Sequence, residues 1–444
     1  MCKKNSTVSN ISEKTTTTTT TTTGTILRES SRGKAVTNQI CYEPSPRDDD
    51  DKDSCVTESF TLEEIGQKRS QGSIWVIIHD RVYDVTEYVD RHPGGDLALR
   101  HMAGKDATDA FENYHASHVA KYLLPKYLKG RVRDPAPVAS HVRDLRALRQ
   151  ELLRRGMFEV PMGYYYGLYT WLASLFMGSL YCTLAGTSFP VHMVGAALMG
   201  LFWQQFAGLG HDLGHTAVSK TFHGDHRVGS IIGSTLTGLS TAWWKRNHNT
   251  HHIVPNSVED DPNIQHMPLL AVSEEVIAEP YWSTYHDRGF MLSKVGQCIV
   301  SYQHYVFLPL MSLARFNLYA LGIKHLLNPN YKSDYRHTEM LCILGIFPIW
   351  YGALVSTLPD RCTMVCWILL SHAVTILLHL QIVVSHWSME TYRKDAKDGS
   401  IHASGNVSRD KDMNKSNDWY MLQFRTTMDI TCPAWLDWVH IGLQ

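Results

Sequence analysis

The sequence predicts a multi-domain chain, in which a small soluble α+β domain precedes an all-α polytopic membrane domain with about four transmembrane helices. Three observations carry that fold class. Short β-prone runs, turn signals and helical patterning alternate between Phe60 and about Val132. Two long stretches, Gly163 to Gly210 and Met340 to Met389, hold no Asp, Glu, Lys or Arg apart from Asp360 and Arg361. Between and beside those stretches, histidines recur at helical spacing.

Taken in order, the first segment is Met1 to about Ser59, with the run Thr15 to Thr23, serine-rich flanks and the acidic patch Asp48 to Asp51. It has too few large apolar residues to offset the entropy of ordering, so residues 1–59 are expected to be a disordered tail. It lacks the apolar run of a signal peptide, which is consistent with a cytosolic N-terminus. The net charge of -1 over 444 residues gives no reason to expect a nucleic-acid partner. The nine cysteines are scattered and form no CxxC pair, so they read as free thiols instead of a disulfide scaffold.

Residues 60–135 form the soluble domain. Ile74 to Ile78 and Arg81 to Val85 are β-prone runs joined by His79 and Asp80, which predicts a hairpin. HPGG at His92 to Gly95 forces a tight turn that presents His92 outward. With AGKDATDAF (Ala103 to Phe111) and His115 after it, this segment resembles a cytochrome b5 domain. The resemblance implies haem b clamped by two axial histidines, His92 and His115, with His118 of YHASH as the competitor for the second position. Bis-imidazole ligation leaves iron no open position, so such a haem carries electrons.

Residues 136–162 read as a linker and an amphipathic helix, Val142 to Arg155, expected at the membrane surface. A span needs about 20 apolar residues, so Gly163 to Gly210 accommodates two, near 163–185 and 191–209, turning at Thr187 to Pro190. Met340 to Pro359 and Cys362 to Met389 are the second pair. Lys294 to Arg315, interrupted by Gln297, Gln303 and His304, is a poorer span and reads as interfacial or re-entrant. Lys220, Arg227, Lys245 and Arg246 place the polar segment between the pairs in the cytosol by the positive-inside rule. The haem domain and every histidine box then share one face.

The boxes themselves are HDLGH, with His211 and His215 at i and i+4, and HNTHH, with His248, His251 and His252 at i, i+3 and i+4. Each set projects from one helical face, and imidazole suits iron, zinc and copper. HDLGH, WWKRNHNTHH and DPNIQHMPLLAVS resemble the front-end fatty-acyl and sphingolipid desaturases of membranes. That resemblance covers Phe60 to Gln444 and implies a di-iron centre on residues 163–444. Its candidate catalytic and metal residues are His211, His215, His248, His251 and His252, with His386 of QIVVSHW as a further ligand. Asp212 is expected to orient a first-box histidine. Family members continue from HGGLQ to a third box, QxxHH, whereas here HIGLQ ends at Gln444. The expectation is a chain truncated before that box, reducible at its haem but inactive in desaturation unless His386, His440 or a partner completes the site.

The implied enzyme is an oxidoreductase of the endoplasmic reticulum membrane. It uses O2, two iron ions and electrons from an NADH-dependent cytochrome b5 reductase to desaturate a lipid chain. The segments DPNIQHMPLLAVS and TCPAWLDW look closest to the plant and algal sphingolipid Δ8 and acyl Δ6 branches, and sphingolipid Δ8 desaturation is the expected activity. The rivals are a Δ6 or Δ5 fatty acyl desaturase, a lipid hydroxylase with the same fused domain, and an inactive electron carrier. A zinc peptidase would need glutamate where HDLGH has Asp212, and would leave the haem domain unexplained.

Overall fold

The computed structural model describes residues 58–394, 401–403, 418–429, 431 and 433–441. The tail expected over 1–59 lies outside the described residues except for its last two positions, as does most of the hydrophilic loop after Arg393.

The first domain is built on a four-stranded sheet of order β1-β4-β3-β2, where β1 is Ser59–Phe60, β2 Trp75–Ile78, β3 Arg81–Asp84 and β4 Leu128–Val132. The expected hairpin is β2 and β3, paired from Ile78 opposite Arg81 to Trp75 opposite Asp84. His79 and Asp80 both take positive φ, 50° and 61°, as a two-residue loop matched to strand twist requires. Helix α1 (Leu62–Ser70) opens with a capping box between Thr61 and Glu64. Helices α2 (Asp96–Met102) and α3 (Thr108–Tyr114) follow HPGG and AGKDA respectively. Ile74, Val76, Ile78, Tyr83, Val89, Met102 and Ala110 form the core, and Ile253 and Val254 from the second domain belong to the same cluster.

Helix α4 (Ser140–Arg154) is the expected amphipathic segment, but its charged side has a specific partner. Arg146 makes two bonds to Asp109 of α3, at 2.7 and 3.0 Å, and Arg149 donates to the Glu112 carbonyl. The sequence shows the polar stripe and not what it meets; here the stripe grips the haem-type domain.

Helices α5 (Met162–Leu184) and α6 (Phe189–Gly214) form the predicted antiparallel hairpin. Their core joins Tyr165, Leu172, Phe202, Trp203 and Leu209 to Leu354, Val355 and Trp367 of the later helices. Beyond α6 come α7 (Phe222–Val228), α8 (Ser234–Thr237), α9 (Thr241–Ile253), α10 (Glu275–Ala278), α11 (Lys294–Ser301) and α12 (Gln303–Leu327). Three helical stretches among the described residues are long and apolar enough to cross a membrane: Gln303–Leu327, Arg336–Ser356 and Arg361–Trp387. The count of four is therefore not reproduced. Tyrosines and the pair Gln204 and Gln205 keep α5 and α6 out of that group, whereas α12 enters it.

The reading of Lys294 to Arg315 as one poor span needs correction, because that segment divides into α11 and a 25-residue α12 that runs on to Leu327. Of the polar groups that disguised α12, Gln303 meets the Ala271 amide and carbonyl; further along, Arg315 is 4% exposed, donates to the Thr237 carbonyl and lies 4.2 Å from the centre of the Trp203 ring. Composition and contacts disagree about what α12 does. Its first residue, Gln303, accepts from the Ala271 amide, and just beyond its end Lys332 meets Asp90 of the first domain. Both ends of α12 are thus tied to polar segments, one a loop after the second box and one a stretch that meets the first domain.

Candidate functional site

In the first domain, α3 and the HPGG turn bring two imidazoles face to face. The His92 and His115 ring centres are 5.8 Å apart with their planes 40° from parallel. Each Nδ1 pairs with a local carbonyl, His92 with Gly95 at 2.9 Å and His115 with Phe111 at 3.0 Å. Both Nε2 atoms are thereby left for another partner, and the tautomer is set by the backbone. Burial lowers the pKa of His92, and burial followed by the charge of His92 brings His115 down to about 4. Neutral rings with free Nε2 atoms are a donor set that fits a bis-histidine haem. His118, the competitor, is exposed.

In the second domain, α6 ends in the first box and α9 carries the second. Helix α9 begins where the Ser240 hydroxyl accepts the Trp243 amide, so its register is fixed a few residues before the histidines. His211, His215, His248 and His252 come together, with one ligand atom from each within 4.8 Å of all the others. The Nε2 atoms of His248 and His252 are 2.9 Å apart. His211 Nδ1 and His215 Nε2 are buried without a hydrogen-bond partner among the described residues. Burial, then the neighbouring histidines, holds His248 and His252 well below the ordinary imidazole value; burial and His211 bring His215 to about 3. Imidazoles that burial keeps unprotonated at His215, His248 and His252, with orphaned ring nitrogens on His211 and His215, fit a divalent or trivalent first-row metal.

His251 does not join those four. It faces His386, Nε2 to Nε2 at 3.1 Å, across 135 positions of sequence. Its Nδ1 is 2.9 Å from Asp261 Oδ2, and that carboxylate, fully buried, also accepts the amides of Asn256 and Asn263. His386 Nδ1 meets the Thr426 carbonyl at 3.2 Å. This pair is a second, separate donor set, and His440 belongs to neither.

Asp212 is placed differently from expectation. Its Oδ1 is 3.6 Å from His211 Nδ1, too long for a hydrogen bond, and its Oδ2 accepts the Tyr165 hydroxyl at 2.9 Å. The carboxylate that orients a box histidine is Asp261, ten residues after His251 in VEDDP, where acidic residues are too common for the position to stand out. Sequence reading also missed Tyr114, whose ring lies 5.9 Å from His252 and 6.4 Å from His215. It missed Gln423 as well, which donates to the His252 carbonyl from the helix Trp419–Thr426.

Comparison with known proteins matches residues 61–133 to the family described as "Cytochrome b5-like Heme/Steroid binding domain" and residues 187–444 to "Fatty acid desaturase". A "Delta(8)-fatty-acid desaturase" of Helianthus annuus is 36% identical, over 87% of this chain and 79% of its own. An "Acyl-lipid (9-3)-desaturase" of Borago officinalis is 33% identical over 88% and 81%. A "Delta 8-(E)-sphingolipid desaturase" of Komagataella phaffii is 27% identical over 86% and 83%.

Proposed function

Since the chain belongs to the fatty acid desaturase family and carries a fused cytochrome b5-like domain, we propose that it is a front-end desaturase that introduces a Δ8 double bond into the long-chain base of a sphingolipid. The observation that carries the reading is the gathering of His211, His215, His248 and His252 around one point beside an apolar helical hairpin.

His92 and His115 would hold haem b, and His211, His215, His248 and His252 one iron, with His251 and His386 contributing to a second. Haem supplies single-electron transfer, and iron with O2 supplies an oxidant able to attack an unactivated C–H bond. The protein's own part is to keep donors neutral, oriented and dry. Burial keeps His215, His248 and His252 unprotonated at neutral pH, so their lone pairs are available. Asp261 holds His251 in one tautomer, with Nε2 toward His386. The core of α5 and α6 excludes water from the side on which an acyl chain would lie.

The assignment of a cytosolic face in the endoplasmic reticulum, with an NADH-dependent cytochrome b5 reductase as electron donor, follows from the same reading. It is supported by the contact between the first domain and α9, which puts haem pocket and boxes on one side. In that topology the α5–α6 turn near Thr187 and the turn at Asp360 face the lumen. The test is expression of the full chain in a host that makes sphingolipids, followed by profiling of acyl chains and long-chain bases together with bound iron. New Δ8 unsaturation in long-chain bases is expected once the third QxxHH box is supplied as a C-terminal extension, compared in the same host with the 444-residue form. Unsaturation in acyl chains alone, or a hydroxyl in place of the double bond, would overturn the assignment.

A further inference from the structure

Helix α9 carries more than the second box. On a helical wheel His248, His251 and His252 occupy one side, and Arg246, Asn249 and Ile253, at i, i+3 and i+7, form a separate stripe. That stripe meets the haem-type domain along its length. Arg246 Nε lies 3.0 Å from Asp96 Oδ1, at the first residue of α2 and four positions after His92. Asn249 Nδ2 donates to the Gly94 carbonyl at 3.1 Å, within HPGG itself. Ile253, with Val254 after it, joins the apolar core of the first domain. Gly95 takes φ +93°, and Arg246 Cα lies 3.5 Å from where a Cβ would stand, so the loop packs directly on the helix.

Arg246 is built into this seam. It is 9% exposed, and its guanidinium lies 4.3 Å from the Tyr331 ring centre and 5.0 Å from that of Tyr285. A buried, stacked arginine aimed at a carboxylate is the sort of residue that dominates an interface. By contrast, Asp90 and Lys332 pair at the rim with more than half of each side chain exposed, where an ion pair contributes little.

We propose that Arg246, with Asn249, is a positioning residue for electron delivery: it locks the loop that carries His92 onto the back of the helix that carries His248 and His252. The proposal rests on the desaturase reading, in which a haem held by His92 and His115 would supply single electrons to iron held by the boxes. Fixing donor and acceptor on opposite sides of one short helix removes the search that a tethered domain would otherwise make.

The experiment uses the full chain, loaded with haem and iron, in lipid nanodiscs, with Arg246→Ala, Asp96→Asn, Asp96→Glu and the rim control Asp90→Asn. Asp96 lies on the haem-type domain away from the boxes, so its variant remains informative if Arg246→Ala misfolds. Two readouts are taken: amide hydrogen exchange over residues 92–102, and the substrate-dependent part of the rate at which chemically reduced haem is reoxidised by air, that is, the rate with a sphingolipid substrate less the rate without it. Arg246→Ala and Asp96→Asn are expected to speed exchange in that segment and slow the substrate-dependent reoxidation by roughly tenfold or more, as breaking the ion pair of a buried arginine does, Asp96 itself being shared with Arg100. Haem reduction by dithionite and iron content stay at wild-type values, Asp96→Glu recovers most of the rate, and Asp90→Asn changes nothing. Wild-type exchange and reoxidation in both Arg246→Ala and Asp96→Asn would overturn the proposal. So would slow reoxidation with lost iron in Arg246→Ala while Asp96→Asn is silent, since Arg246 would then serve the box helix alone. If wild-type haem is never reoxidised under substrate, the desaturase reading fails, while exchange still judges the seam.

Discussion

The haem-type pocket and the histidine cluster solve the same problem, holding imidazoles neutral and aimed, by different means. In the pocket each Nδ1 is fixed by a carbonyl three or four residues away, Gly95 for His92 and Phe111 for His115. In the second domain the supports come from far along the chain: Thr426 orients His386 across 40 residues, Gln423 holds the His252 carbonyl across 171, and His251 depends on Asp261. The pocket is therefore a local motif that its own segment can assemble. The cluster exists only once the helical domain has closed around it.

The largest expected effects separate the two regions outright. His248→Ala should reduce bound iron and desaturated product to background while leaving the reduced b-type spectrum intact. His115→Ala should abolish that spectrum and leave bound iron unchanged, and His118→Ala should do neither. Absorption spectra and metal analysis on the same preparations decide the matter. A spectrum that depends on His118 would break the pairing assigned to the pocket.

A smaller effect tests whether the separate donor pair of His251 and His386 needs its carboxylate support. Asp261→Asn keeps the shape but weakens the acceptor for His251 Nδ1, and partners of this kind are typically worth about 10- to 100-fold in metal affinity. Competition with a chelator measures it. The haem pocket offers no equivalent substitution, because its acceptors are backbone carbonyls.

Acid should act on both regions with one sign. His115 is lowered from 6.5 to about 4, and His215 from 6.5 to about 3, by burial first in each case. A depressed folded-state pKa means that the unfolded chain takes up protons first, so stability is complete above about 6.5 and falls as pH drops. The contribution of His115 is exhausted near 4 and that of His215 near 3. Melting temperatures of the metal-free chain between pH 7 and pH 4 should therefore fall on acidification; a flat profile would mean that these rings are hydrated.

The same contrast explains what was legible in the sequence. The His79-Asp80 turn, HPGG, HDLGH and HNTHH declare themselves because their chemistry lies within a few residues, and their spacing is itself the geometry. The division of the second box was hidden: nothing in HNTHH says that His248 and His252 join the first box while His251 turns to His386. That choice depends on where the helix Arg361–Trp387 delivers its end. The charged stripe of α4 was readable but its partners on α3 were not. Gln303 made the start of α12 look unsuited to an apolar setting because a sequence does not show the Ala271 amide and carbonyl that meet it.

The smallest expected effect concerns Tyr114, a first-domain residue whose ring reaches the histidine cluster. It precedes His115 in the chain, and its ring stands 5.9 Å from His252 and 6.4 Å from His215, with Trp419 at 6.0 Å. The side chain is 41% exposed, so one face of the ring packs on these neighbours while the rest meets solvent. If the ring matters as a packed spacer between pocket and cluster, Tyr114→Phe should behave as wild type. Tyr114→Leu should lose the aromatic contacts, worth about 1 kcal/mol. A loss of that size expressed in the barrier would slow haem reoxidation about fivefold. Stopped-flow reoxidation of the two variants, with haem and iron contents verified equal, measures the difference. A slow Tyr114→Phe variant would assign the role to the hydroxyl. Equal rates in all three would mean that the regions communicate through the α9 seam and not across this ring, so the local pocket and the long-range cluster would meet along the stripe of Arg246, Asn249 and Ile253.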